Sequence, residues 1–287
     1  SYFEYSTGLK MISKRFSKLF GNKPRDPKKE QLTQFHMDIA SSIQSVTEDV
    51  MLKITNSLAS EYKIKNLCLA GGVALNCVAN GKILKNGKFE NIWIQPAAGD
   101  AGGSLGAALG LWHIELKKNR TINNKDSMNG SYLGPEYSQD EVEKKLKELG
   151  ANFEVLDNEQ LIEKTALELS NGKAVGWFQG RMEFGPRALG CRSILGDARS
   201  ENMQKTLNLK VKYRESFRPF APSVIREDLS TWFNLNCDSP YMLLVSGVAN
   251  EKRRIMTEEE KAFFGIDKLN VKRSDIPAVT HVDYSAR

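Results

Sequence analysis

Cysteine is scarce in this chain. Its four thiols, Cys68, Cys77, Cys191 and Cys237, show no CxxC spacing, and a disulfide scaffold belongs to much smaller secreted proteins. They are expected to be reduced and mostly packed. Histidine is scarcer, with three residues; His36 has no second His or carboxylate four residues on, so it reads as an ordinary helix residue rather than half of a zinc pair. No apolar run approaches the roughly eighteen residues of a membrane span, and the opening SYFEYSTGLK lacks a signal-peptide core. A cytoplasmic enzyme with no membrane partner is the expectation. Walker A, GxGxxG, helix-turn-helix, zinc-finger and RNP patterns are all missing. Acids are outnumbered, 35 against 41 Lys and Arg, for a net charge of +6. Much of the excess lies in residues 10 to 29, where apolar periodicity is weak and a solvated flank accounts for it as well as nucleic-acid contact would.

At 287 residues, the chain exceeds one ordinary small core and suggests two domains or lobes. The richest stretch runs from Gly180 to Pro222. It opens as GRMEFGPRALGCRSILGDAR, closes as LKVKYRESFRPFAP, and carries Arg181, Arg187, Arg192, Arg199, Lys210, Lys212, Arg214 and Arg218. These cations alternate with Gly, Pro and Phe, as expected of side chains held individually by turns and packed aromatics. Guanidinium forks match phosphate or carboxylate oxygens in pairs, so several converging on one cavity would bind a small polyanion. Lone surface arginines are usually only solvated; Gly185-Pro186 beside Arg187, and Phe217 and Phe220 around Arg218, argue for more here.

Along the chain, Leu32, Phe35, Ile39, Ile43, Val46, Val50, Ile54 and Leu58 recur at helical spacing, predicting a long helix packed along that face. A strand at 66 to 70 then ends in Gly71-Gly72 and leads toward a helix. A second strand, 92 to 95, breaks at Pro96 and passes through Gly99-Asp100-Ala101-Gly102-Gly103 into a small-residue helix at 105 to 110. Glycine turns at helix starts present amides to an anion, and they equally make plain tight turns. Asp100 fits either a helix cap or a hard oxygen ligand to a metal. The polar run 119 to 134, with Asn123, Asn124, Asn129 and Gly130, marks a domain boundary. Helices are expected at 138 to 149 after Ser138 and at 158 to 171 after Asp157 or Asn158, with Gly172 ending the second. A buried strand is expected at 173 to 179, helix at 200 to 209, mixed strand and loop at 222 to 247, and a charged excursion at 250 to 275. A last strand is expected in the final segment, where His281 is as plausible a hydrogen-bonding core residue as a catalytic one.

The segments AGGVALNCVANGKIL, QPAAGDAGGSLGAAL, VGWFQGRMEFGPRALGCRSIL, KYRESFRPFAPSV and PAVTHVDYSAR together resemble the NodU/CmcH family of O-carbamoyltransferases. The resemblance implies an α/β protein: residues 1–128 as the second lobe of an actin/hexokinase-like (ASKHA) domain, and 129–287 as a YrdC-like α/β domain. It implies that the latter joins carbamoyl phosphate to ATP, giving carbamoyl-adenylate and pyrophosphate. The former would then move the carbamoyl group to a substrate hydroxyl with a divalent metal, iron(II) first and magnesium second. Arg187, Lys212, Arg218 and Arg287 would neutralise the joined polyanions, with Arg181 and Arg192 either assisting or only supporting the loop. Gly71, Gly72 and Asn76, with the Gly102 and Gly103 turn, would contact the nucleotide, and Asp100 would be one metal ligand.

The family's His-x-x-x-His pair and its AsnThrSerPheAsn continuation are not in this sequence, so the chain is expected to be an internal piece that works with an N-terminal lobe of the same polypeptide. Two rivals stand beside this reading. A sugar or acyl kinase of the same superfold gives no role to Arg187 and Arg218. A basic nucleic-acid or partner-binding module rests on the flank and ranks last.

Overall fold

The computed structural model describes every residue except Ser1, Thr7, Leu9, Asn123 and Asn124, so two asparagines of the expected linker lie outside the described residues. The chain divides into two compact units, Ser1–Ser45 and Val46–Arg287.

In the first unit the supposed bare flank contains a helix, α1 (Lys14–Phe20), capped by Ser13, whose Oγ accepts from the Arg15 amide at 3.1 Å, and ended by Gly21 at φ +70°. Seven residues make a marginal helix in water. Side-chain stacking supports this one: Phe16 and Phe20 lie one turn apart with ring centroids 4.8 Å apart, and Phe3 lies 5.8 Å from Phe16. Helix α2 (Gln34–Tyr62) begins in this unit and continues in the second.

The expected long helix is there, but in the second unit the expected apolar row is not its packed face. Val46, Val50 and Ile54 are exposed, while Met51, Leu52 and Ala59 pack against Leu67, Ile83 and Phe89, with Glu48 and Thr55 buried on the same side. The polar atoms on that side are satisfied. Lys82 pairs with the Glu48 carboxylate, and Thr55 Oγ1 donates to the Met51 carbonyl at 2.8 Å. A buried polar group with a partner costs little, so a face with two polar residues can still be the packed one.

Strand β1 (Asn66–Leu69) leads through a tight 3₁₀ turn (Gly72–Leu75) into α3 (Cys77–Asn86), then β2 (Asn91–Ile94) and α4 (Ala101–Gly110). β1 and β2 are parallel, from Asn66 opposite Asn91 to Leu69 opposite Ile94, and α3 is the crossover that parallel pairing requires. Two devices dock α3 onto a distant segment. Asn80 Nδ2 donates to the carbonyls of Ala74 (2.8 Å) and Leu243 (3.1 Å), and a Cβ on Gly81 would stand 2.4 Å from the Val245 carbonyl oxygen. Met128, from the polar run, is buried in the same cluster as Ala74, Ile94, Tyr241 and Leu243.

Helices α5 (Gln139–Glu148) and α6 (Asn158–Ser170) begin at Ser138 and Asp157, each with a reciprocal capping box; Gly172 follows α6 at φ +76°. β3 (Val175–Phe178) pairs antiparallel with β4 (Arg192–Leu195). It is not the buried strand its apolar residues predict: Phe178 is 57% exposed. Short elements follow, α7 (Met203–Thr206), α8 (Leu229–Trp232), β5 (Ser246–Gly247), α9 (Glu258–Ala262) and β6 (Ser285–Ala286). β6 pairs antiparallel with β5, which fixes the position of Arg287. Arg273, only 2% exposed, secures the same segment by donating to the carbonyls of His281 (3.0 Å) and Thr280 (3.1 Å). Among the described residues no helix is long and apolar enough to cross a membrane.

Candidate functional site

The Arg-rich stretch and the C-terminus close on a cavity of about 730 Å³. Its first wall is the loop Gly185 to Gly190, whose shape comes from a residue that sequence reading passed over. Glu183 is buried, and its Oε1 accepts from the amides of Leu189 (2.7 Å), Cys191 (2.8 Å) and Arg192 (3.3 Å). Burial pushes this carboxyl up, but the amide bonds outweigh it and hold the group below the usual range. Gly185, at φ +126°, lies where a Cβ would come 3.3 Å from the Pro96 carbonyl oxygen. The loop thus rests on the turn before Asp100.

Arg187, Lys212, Arg214 and Arg287 line the cavity. Arg187 donates from Nη2 to the Leu75 carbonyl at 3.3 Å, while its Nε and that of Arg287 are buried without a protein partner. Burial, then the neighbouring Arg287 cation, holds the Arg187 guanidinium below its ordinary range; burial, then Arg218 and Arg287, does the same to Arg214. Arg214 is oriented by Asn208, whose Oδ1 accepts from Nε at 2.6 Å, and its guanidinium stands 5.0 Å from the Phe220 ring centroid. Between Lys212 and Arg214, Tyr213 takes φ +47°, a left-handed conformation that bends the chain sharply. Nothing in one-dimensional spacing announces that bend.

Arg218 is not part of the lining. Its Nε pairs with Glu215 at 2.9 Å and its side chain is half exposed. Arg192 spans the carbonyls of Gln179 and Cys191, both at 2.8 Å, and stacks 3.5 Å from the Phe178 ring centroid. Arg181 donates to the Gly134 carbonyl at 3.2 Å and lies 3.5 Å from Glu136. Both brace the loop from outside. Arg226 lines the cavity beside its ion-pair partner Asp238, a pair that spacing along the chain does not single out.

The glycine turns lie next to this loop. Gly71, at φ +95°, donates its amide to the Ala98 carbonyl at 2.9 Å, joining the two turns, and a Cβ on Gly71 or Gly72 would meet open space. Gly102 and Gly103 fall inside α4, and their amides donate to the carbonyls of Gly99 and Asp100, both at 3.1 Å. They are therefore not free anion donors. Asn76 caps α3 by accepting from the Ala79 amide at 3.1 Å. Asp100 is exposed and makes no side-chain cap bond. Among the described residues no three His, Cys, Asp or Glu side chains gather into a metal-holding group, so Asp100 by itself does not fit a metal site. His281 Nδ1 lies 3.2 Å from Ser285 Oγ, and its Nε2 is buried without a partner. Burial is the main cause holding the imidazole below its ordinary 6.5.

Residues 1–109 match the family described as Carbamoyltransferase N-terminus, and residues 166–287 match Carbamoyltransferase C-terminus. The chain belongs to the carbamoyltransferase family. Within that family it is similar over its whole length, at 56% identity, to an uncharacterised protein of Synechocystis, of which it covers 47%. It is 38% identical over 89% of its length to nodulation protein NolNO of Sinorhizobium fredii, covering 35% of that relative. It is 32% identical over 77% of its length to the 3'-hydroxymethylcephem-O-carbamoyltransferase of Streptomyces clavuligerus, covering 36% of it. The chain spans less than half the length of each of these relatives. The cavity lies wholly inside the segment matched to the family's C-terminus, and both glycine turns lie inside the segment matched to its N-terminus.

Proposed function

We propose that this carbamoyltransferase chain forms carbamoyl-adenylate in the Arg187 cavity, and that the longer protein transfers the carbamoyl group to a hydroxyl on a small acceptor. The observation that carries this is the pair of buried, unpartnered Nε donors on Arg187 and Arg287 in a cavity also lined by Lys212 and Arg214. Arg187, partly desolvated beside the Arg287 cation, is stabilised by an anionic ligand. Carbamoyl phosphate and the triphosphate of ATP are such ligands, and the S. clavuligerus relative is named for O-carbamoyl transfer.

The step balances with one water. The phosphoryl–oxygen bond of carbamoyl phosphate breaks as water takes the phosphoryl group, and phosphate leaves. The freed carbamate oxygen attacks the α-phosphorus of ATP and expels pyrophosphate. Arg187, Arg287, Arg214 and Lys212 would hold the anions together and stabilise the charge that builds on the transferring oxygens. Arg218 would act through Glu215 and Arg214 rather than on the ligand. In the second step the acceptor hydroxyl attacks the carbamoyl carbon, AMP leaves, and the hydroxyl proton passes to solvent. Gly71 and Gly72 leave room for the nucleotide beside the Arg187 loop. The ASKHA-like lobe over 1–128 and the YrdC-like domain over 129–287 belong to the same proposal, as does Asp100 as one contributor to a metal site.

Calorimetric titration with carbamoyl phosphate, with and without a non-hydrolysable ATP analogue and against inorganic phosphate, tests the reading. Selective binding that the analogue strengthens supports it. Affinity no better than for phosphate, in this chain and in a longer one, overturns it.

A further inference from the structure

One wall of the cavity is held in a conformation that its residues do not favour. Met242 and Leu244 line the cavity, while Tyr241 and Leu243, 6% and 3% exposed, pack into the cluster with Ala74 and Ile94. Between those two, Met242 takes φ +54°. A left-handed backbone costs a residue with a side chain free energy and persists only where its surroundings impose it. Here the surroundings grip the residues on either side of Met242. Tyr241 Oη donates to the Asp126 carboxylate and accepts from the Gly130 amide at 3.3 Å. Asn80 Nδ2 holds the Leu243 carbonyl, and Gly81 lets α3 approach Val245 closely.

Asn80 grips in two directions. It is fully buried, and the Nδ2 that holds Leu243 also donates to the Ala74 carbonyl, in the turn that follows Gly71-Gly72. The next carbonyl along, that of Leu75, accepts from Arg187. Asn80 Oδ1 has no protein partner, and an unpaired buried acceptor costs free energy, so what this amide contributes is its two donated bonds. One side chain of α3 thus fixes both the turn that Arg187 touches and the strap that carries Met242. These contacts are interior to the chain and do not depend on what covers its surface.

We propose that Asn80, outside the cavity and in the segment matched to the family's N-terminus, is a positioning residue for anion binding in the Arg187 cavity. It keeps Met242 left-handed on one wall and the Leu75 carbonyl in place for Arg187. The proposal rests on the reading of that cavity as an anion site and adds that α3 sets its affinity.

The test titrates inorganic pyrophosphate, then carbamoyl phosphate, into the 287-residue chain and into Asn80→Ala, Met242→Gly, Met242→Ala and the double variant Asn80→Ala, Met242→Gly, with circular dichroism checking that each folds. Asn80→Ala should weaken pyrophosphate binding at least about tenfold, the scale of one backbone strain released. Glycine takes φ +54° freely, so adding Met242→Gly to Asn80→Ala should recover at least about threefold of that loss. A merely structural Asn80 would lower the unfolding midpoint without this rescue of affinity. Met242→Gly should also unfold at higher urea than Met242→Ala, since both lack the thioether and differ in how freely they take a left-handed backbone. A folded Asn80→Ala chain that binds pyrophosphate within about twofold of the unaltered one, or a double variant without rescue, overturns the proposal. If Asn80→Ala does not fold, the Met242 pair decides, and a glycine midpoint no higher than that of alanine overturns it. The carbamoyl-adenylate reading fails separately, when the unaltered chain and a longer one bind pyrophosphate but do not prefer carbamoyl phosphate to inorganic phosphate. No pyrophosphate binding in either chain overturns both.

Discussion

Two basic regions of this protein look alike in composition and behave differently in three dimensions. In residues 10 to 29 the cations, apart from the half-buried Arg25, stand exposed to solvent. In the Arg187 loop and the segments around it, cations are drawn partly out of water beside one another, and burial depresses Arg187 and Arg214. A solvated charge tolerates the absence of a partner, whereas a desolvated one does not. Charge density alone therefore says little about a small-anion site; confinement decides it. The confinement here comes from a carboxylate, Glu183, that gathers backbone amides rather than pairing with the arginines it positions.

The comparison can be broken most directly at that carboxylate. Glu183→Ala should cost about 3 kcal/mol of stability, because it leaves buried amides without an acceptor; urea unfolding reads it, and an unchanged midpoint would remove Glu183 from its role. Next comes Arg187→Ala, expected to weaken carbamoyl phosphate binding by about 2 kcal/mol, the range of a charge-assisted bond. Arg214→Ala should cost about 1.5 kcal/mol and Arg218→Ala less than about 0.5 kcal/mol, measured in the same calorimetric assay. A reversed order would return the site to Arg218.

A smaller effect concerns His281. Its folded-state value lies below 6.5, so as pH falls the unfolded chain takes up the proton first. Stability is therefore full above 6.5 and declines as pH drops from there toward the folded value. His281→Gln should flatten the stability profile across that interval, and a profile that keeps its slope would assign the loss to other groups. Smallest of all, neutralising Lys14, Arg15 and Lys18 should leave carbamoyl phosphate affinity within error. A clear loss would erase the distinction between the two basic regions.

Local chemistry was legible because it acts over a few residues. Ser138 and Asp157 sit at helix starts with Glu141 and Gln160 placed to close capping boxes, and both strand-to-glycine turns appear where their patterns put them. The motifs that identify the family are also short and contiguous. Which face of α2 is packed was not legible, because Glu48 becomes acceptable inside only when Lys82, from another helix, reaches it. The same holds for the cations. The sequence by itself determined that arginines would be presented on turns and that Arg187, Lys212 and Arg287 were candidates. Only the tertiary structure admitted Arg214 to the cavity and left Arg218 outside, since that choice depends on the bend at Tyr213, the Asn208 acceptor and the β5–β6 pairing that brings in Arg287. Burial is a property of what arrives from elsewhere in the chain, and spacing along the chain does not contain it.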